Sequence, residues 1–145
     1  MIRKVKIINK SKYDLPEYKT SGSAGFDIHA NVARTVSILP GRWGIIPTGL
    51  FMELPEETYL QILSRSGLAA KKGVFVLNSP GIIDSDYRDE ICIIIANFGD
   101  QPFEINPGDR IAQGIISVYE KAEFVEVSEL TKDNDRGGGL GSTGV

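Results

Sequence analysis

Apolar and polar residues alternate with period two in Val5-Lys6-Ile7, Phe26-Asp27-Ile28-His29-Ala30, Val36-Ser37-Ile38 and Phe124-Val125-Glu126-Val127. That period places every second side chain on one face of a strand and predicts half-buried strands. Denser apolar runs, rich in β-branched residues, occupy 43–51, 59–63, 74–77, 91–98 and 111–119. They read as strands buried on both faces. Turn chemistry separates the runs at Pro40-Gly41, Leu54-Pro55-Glu56, Ser79-Pro80-Gly81, Gly99-Asp100-Gln101-Pro102 and Asn106-Pro107-Gly108-Asp109. Strands at this spacing predict an all-β sandwich, barrel or jelly roll. One short helix is predicted over 67–72, where Ala-Ala-Lys-Lys favours helix and Gly73 offers a left-handed stop.

Composition agrees with a single globular domain. The 145 residues are 41% apolar and 24% charged, which excludes a disordered chain and a coiled coil. Sixteen glycines and seven prolines exceed the average usage of roughly 12% and add turns. A net charge of -3 gives no field suited to a duplex backbone, so no nucleic-acid duplex is expected as partner. One cysteine, Cys92, and one histidine, His29, exclude an intrachain disulfide and a Cys/His zinc site. No apolar stretch reaches signal-peptide or membrane-span length. A soluble, intracellular protein with no membrane partner is the expectation.

Four polar clusters interrupt the strand pattern. Ser64-Arg65-Ser66-Gly67 combines a guanidinium, hydroxyls and a glycine just before the helix, as a phosphate cradle requires; an N-cap serine beside a surface arginine explains it equally well. The stretch from Asn78 to Glu90 holds Asp84, Asp86, Asp89 and Glu90 with Tyr87. Most such charge is solvated, but Asp84 follows two isoleucines that must face protein, so its carboxylate is expected to be held. An ionised Asp84 would chiefly orient a water. Gly108-Asp109-Arg110-Ile111-Ala112-Gln113 reads as a turn with a salt-bridge candidate opening a strand. The ending Arg136-Gly137-Gly138-Gly139-Leu140-Gly141-Ser142-Thr143-Gly144 reads as a frayed terminus, or as an arm whose backbone N–H groups and side chains wrap an anion.

In order along the chain, Ala24-Gly25-Phe26-Asp27, Ser64 to Ala69, Gly81 to Arg88, Gly108 to Gln113 and the tail from Arg136 to Gly144 resemble the five motifs of the trimeric dUTPases, the deoxyuridine triphosphate nucleotidohydrolases. The resemblance implies an all-β, dUTPase-like jelly roll with one short helix. Residues 1–135 would form the domain and 136–145 a flexible arm closing over the nucleotide. It also implies a homotrimer with three sites at subunit interfaces, and Mg²⁺-dependent hydrolysis of dUTP to dUMP and pyrophosphate, which supplies dUMP and keeps uracil out of DNA.

Carried over by position, Asp84 resembles the carboxylate that activates the attacking water, and Tyr87 the ring that packs under the deoxyribose. Asn78 with Gly81, Ile82 and Ile83 resembles the uracil-reading hairpin. Arg65, Ser66, Gly67 and Gln113 match phosphate contacts, and Asp27 the carboxylate that holds a metal-bound water. Arg136, Leu140, Gly141, Ser142 and Thr143 fall in the closing arm. Two positions depart from the pattern: Leu140 stands where the family usually has a stacking Phe, and Asp89-Glu90 where many members have Gly. The deaminase branch acting on dCTP and a non-catalytic nucleotide-binding regulator are the alternatives; a cytoplasmic location is implied, nuclear in a eukaryote.

Overall fold

The computed structural model describes residues 2–135 together with Gly137 and Gly138. Among them lie eleven strands and one helix: β1 (Lys6–Asn9), β2 (Phe26–His29), β3 (Val36–Ile38), β4 (Trp43–Pro47), β5 (Leu50–Glu53), β6 (Thr58–Leu63), α1 (Ser66–Lys72), β7 (Val74–Val76), β8 (Gly81–Ile83), β9 (Cys92–Asn97), β10 (Phe103–Ile105) and β11 (Arg110–Val118). All pairings are antiparallel, in sheets ordered β2-β11-β6-β8, β4-β9-β7, β1-β5 and β3-β10. This is a jelly-roll-like, all-β architecture.

Alternation decides what each sheet buries. Contrary to the expectation of burial on both faces, β6 reads buried and half-buried in strict turn, sending Leu60 and Ile62 inward to meet Ile28, Ile93, Ile95 and Ile111 in one core. Its other face carries Tyr59, Gln61 and Leu63 outward, and across the ladder the same face continues through Asp27, Gln113, Ile115 and Ser117 to Ile82.

Several expectations are corrected here. The apolar run 43–51 is two strands, because Gly49 turns the chain at φ 72° and a β-carbon there would lie 2.8 Å from the Ser11 nitrogen. β4 is buried on one face only, with Trp43 and Ile45 more than 60% exposed, since nothing in the described chain covers the outer face of β4-β9-β7. Residues 124–127 form no strand and are exposed; alternation supplies a face but not a partner, and none pairs with them among the described residues. β8 escapes the pattern because Gly81-Ile82-Ile83 does not alternate; Phe103-Glu104-Ile105 of β10 alternates as β3 does, but lies hidden between two turn segments. α1 ends as expected at Gly73, left-handed at φ 65°.

Candidate active site

One corner of the molecule gathers three of the five motifs. On the central strand β11, Gln113 lies opposite Asp27 of β2 on one side and Leu63 of β6 on the other. A register shift between Arg110 and Ala112 is a bulge, the device that re-aims side chains at a strand end. Gln113 donates from Nε2 to the Ser64 carbonyl at 2.9 Å, fixing the start of the next segment. Asp27 receives two guanidinium groups: Arg65 Nε lies 3.1 Å from Oδ1, and Arg110 Nη1 donates to Oδ2 at 3.2 Å. Arg65 Nη1 also donates to the Arg110 carbonyl at 2.7 Å. The salt bridge anticipated at Asp109-Arg110 therefore forms with Asp27, while Asp109 accepts from the Asn106 backbone N–H at 2.8 Å.

Beyond Arg65 the chain enters α1. Arg65 itself is the N-cap, in extended conformation, and no side chain caps the helix. Ser64 Oγ instead accepts from the Val76 N–H at 2.9 Å, so the capping-serine explanation of this motif does not hold. Ser66 and Gly67 are exposed, and a β-carbon added to Gly67 would meet nothing within 4 Å. The fold does not need glycine there for its own packing.

The hairpin motif is split by the register of β8. At its start, Asn78 and Ser79 turn near the arginine corner: Ser79 Oγ accepts from the Ser64 N–H at 3.4 Å. A β-carbon on Gly81 would lie 3.2 Å from both Asn78 Nδ2 and Ile62 Cβ, which explains glycine at that close passage. Ile82 and Ile83 then run antiparallel to β6, with Ile83 opposite Leu60. Asp84 consequently lies at the far end of the sheet face, lining a cavity of about 460 Å³ with Tyr59, Ile82, Tyr119 and Lys121. Contrary to expectation its side chain is exposed rather than held, because only Ile83 of the preceding pair turns toward protein. Neither Arg65 nor Gln113 lines this cavity.

The rest of this loop is tied down. The Tyr87 N–H donates to the Asp84 carbonyl at 3.2 Å, and its hydroxyl donates to the Glu90 carbonyl at 3.0 Å. Lost solvation, and then Asp89, Cys92 and Glu90, push the Tyr87 hydroxyl above its ordinary range, so it stays protonated as that donor. Arg88 Nη1 donates to the carbonyls of Ser85 and Tyr87 at 2.7 and 3.1 Å. Glu90 Oε1 accepts from the Gly49 N–H at 2.7 Å. Sequence reasoning missed this anchor, whose one signal is a carboxylate immediately ahead of a buried strand. Arg136, Leu140, Gly141, Ser142 and Thr143 lie outside the described residues.

Among the described residues no three His, Cys, Asp or Glu side chains converge on a point. Asp27 has each oxygen already committed to a guanidinium, leaving lone pairs for a water-carried contact. That donor set fits a hydrated Mg²⁺ held mainly by ligand phosphates, and does not form a protein cage.

A jelly-roll-like scaffold with arginine, glutamine and glycine gathered at one end of a sheet face, and an open carboxylate at the other, belongs to the class of β-fold nucleotide-phosphate hydrolases. The dUTPase family model matches residues 11–144, and the chain belongs to that family. A deoxyuridine 5'-triphosphate nucleotidohydrolase of Cytophaga hutchinsonii is 49% identical over 144 residues, covering 99% of this chain and 94% of the relative. One from Chlamydia trachomatis serovar L2 is 48% identical, covering 93% and 94%. Among solved structures, the dUTPase of Staphylococcus bacteriophage 80alpha with dUPNHPP superposes with TM-score 0.87 at 26% identity, covering 98% of this chain and 99% of that one. A dUTPase variant from phage phi11 of S. aureus, 24% identical with TM-score 0.77 over 87% of this chain and 97% of that one, was described with a structural Mg(II) ion.

Proposed function

We propose that this chain hydrolyses dUTP to dUMP and pyrophosphate by attack of water on the α-phosphorus. The observation that carries the reading is the convergence of Arg65, Gln113 and the open Gly67 at one corner, beside the turn formed by Asn78 and Ser79. Arg65, Ser66, Gly67 and Gln113 hold the phosphates, with guanidinium and N–H donors stabilising charge as it develops. Asp84 orients the water and accepts its proton. Asn78 and the backbone of Gly81, Ile82 and Ile83 read the uracil edge, so a wrong base leaves buried donors unpaired. The partly exposed ring of Tyr87, fixed by its hydroxyl, packs under the deoxyribose. Mg²⁺, when bound to the triphosphate, neutralises its charge and polarises the phosphoryl groups; Asp27 would meet it through water. Arg136, Leu140, Gly141, Ser142 and Thr143 close over the nucleotide as an arm spanning 136–145.

The assembly is a homotrimer. Support comes from two features: Asp84 and Arg65 stand apart within one chain, and the outer face of β4-β9-β7 exposes Trp43, Ile45 and Leu77, apolar surface that a partner copy would cover. A cytoplasmic place fits the free Cys92 and the bacterial relatives; among the described residues no helix is long and apolar enough to cross a membrane.

The test is pyrophosphate release from dUTP and from the four standard deoxynucleoside triphosphates, with and without Mg²⁺. Release confined to dUTP and dependent on Mg²⁺ is expected. Ammonia release from dCTP, or tight dUTP binding without turnover, would overturn the reading.

A further inference from the structure

Arg110 closes a ring of three contacts. Its Nη1 donates to Asp27 Oδ2 at 3.2 Å, Asp27 Oδ1 pairs with Arg65 Nε at 3.1 Å, and Arg65 Nη1 donates back to the Arg110 carbonyl at 2.7 Å. The three residues come from β2, the N-cap of α1 just past β6 and the start of β11, so the ring ties three segments together at one end of the sheet. Its two guanidinium groups outnumber its one carboxylate, and the corner keeps a net positive charge. Arg65 commits two of its five N–H donors to the ring and retains three for a ligand among the described residues. Side-chain exposure falls from 51% at Arg110 to 27% at Arg65 and 18% at Asp27: the outermost residue guards the pair that is partly withdrawn from water.

We infer that Arg110 is a positioning residue for nucleotide binding, and that the principal task of Asp27 is to orient Arg65, independently of any metal ion. This rests on the dUTP reading. A long, flexible arginine loses rotamer freedom when it grips a phosphate, and an arginine already held by a carboxylate and a carbonyl has lost most of it before the ligand arrives. A carboxylate that served only to hold a metal-bound water would need no guanidinium on either oxygen, whereas Asp27 carries one on each.

The experiment is calorimetric titration of the α,β-imido analogue of dUTP into the intact assembly, once with Mg²⁺ and once in EDTA, for the unmodified enzyme, Arg110→Met, Arg110→Lys and Asp27→Asn. Melting temperature and oligomeric size are recorded for each. Loss of the charged contact is expected to raise the dissociation constant of Arg110→Met and of Asp27→Asn by about tenfold in both buffers. Arg110→Lys, which keeps a charge toward Asp27, should recover part of the loss. In turnover, KM should rise by a similar factor while kcat changes by less than about threefold, as when binding shared by ground and transition states is removed. An unchanged constant in EDTA, or a loss confined to Mg²⁺, overturns the inference and returns Asp27 to a metal-directed role. If Arg110→Met proves unfolded, the Arg110→Lys comparison decides alone: affinity below that of the unmodified enzyme in EDTA supports the ring, and equal affinity overturns it. Failure of the unmodified enzyme to bind at all would overturn the dUTP reading, a result distinct from failure of the ring.

Discussion

Arg65 and Asp84 stand at opposite ends of one strand. β6 runs into Arg65 just past Leu63, whereas β8 returns antiparallel with Ile83 opposite Leu60, leaving Asp84 beside Tyr59. Tyr59 and Leu63 alone are separated by about 13 Å at roughly 3.3 Å per residue, and Arg65 is folded onto Asp27 and Arg110. In the proposed homotrimer, a phosphoryl group touched by both residues would lie between two copies of the chain.

Complementation between two inactive variants tests this. Arg65→Met and Asp84→Asn should each lose most activity alone. Mixed in equal amounts, unfolded together and reassembled, they should regain about one quarter of normal turnover, because a site drawing its arginine and its carboxylate from different copies receives both intact in one case of four. Turnover no higher than that of the separate variants would show that both groups act within one chain.

Asp84→Asn alone should separate binding from chemistry. The amide is isosteric and the side chain is exposed, so folding and affinity for the α,β-imido analogue should be retained. Turnover should fall by about 10² to 10⁴, the usual range for loss of a positioned base. Near-full pyrophosphate release would remove Asp84 from its assigned role.

The tail offers a gain as well as a loss. Base–aromatic stacking contributes about 1 to 3 kcal/mol, so Leu140→Phe should tighten analogue binding by roughly fivefold or more. Removal of residues 136–145 should leave the oligomer intact and turnover severely reduced. An unchanged constant for Leu140→Phe would show that no stacking is missing, and full activity after truncation would leave the segment a frayed terminus.

Gly114 is set by packing. It lies on β11 between Phe26 and Ile62, and a β-carbon there would fall 2.6 Å from the Phe26 ring and 3.0 Å from Leu60 Cδ1. Gly114→Ala should destabilise the protein by about 1 to 3 kcal/mol, the cost of overpacking a filled core. Chemical denaturation at fixed protein concentration measures it, and a midpoint unchanged from that of the unmodified protein would show that Phe26 yields easily.

What the sequence disclosed follows from how local each feature is. α1 was legible because Gly73 sits where a helix must reverse, and β2 and β3 because alternation names a buried face, whereas the dense run 59–63 read as buried on both faces and β6 buries only one. The break at Gly49 was not, since only the close approach of Ser11 forces it. The pairing of Arg110 with Asp27 joins residues 83 positions apart, and no spacing rule reaches that far. Asp84 and Arg65 belong to motifs that look like neighbours in function, yet antiparallel register sends them apart. Pattern reports which face a residue takes, while register and assembly decide which residues meet.

Gly67 gives a test in which stability and binding move in opposite directions. Its φ is not in the left-handed region and, beyond the adjacent residues and the helix's own backbone, an added β-carbon would meet no atom within 4 Å, so the chain has room for alanine. Within α1 an alanine in place of glycine favours the helix by about 0.5 to 1 kcal/mol, partly by narrowing the unfolded ensemble. Gly67→Ala should therefore unfold at slightly higher denaturant concentration. If phosphate approaches the backbone at this position, the new methyl group occupies the same space, and KM for dUTP should rise by about tenfold or more. A variant that is more stable and binds dUTP as well as before would remove Gly67 from the phosphate site. A variant that is less stable would mean that the open space seen beside Gly67 in one chain is filled by a partner copy.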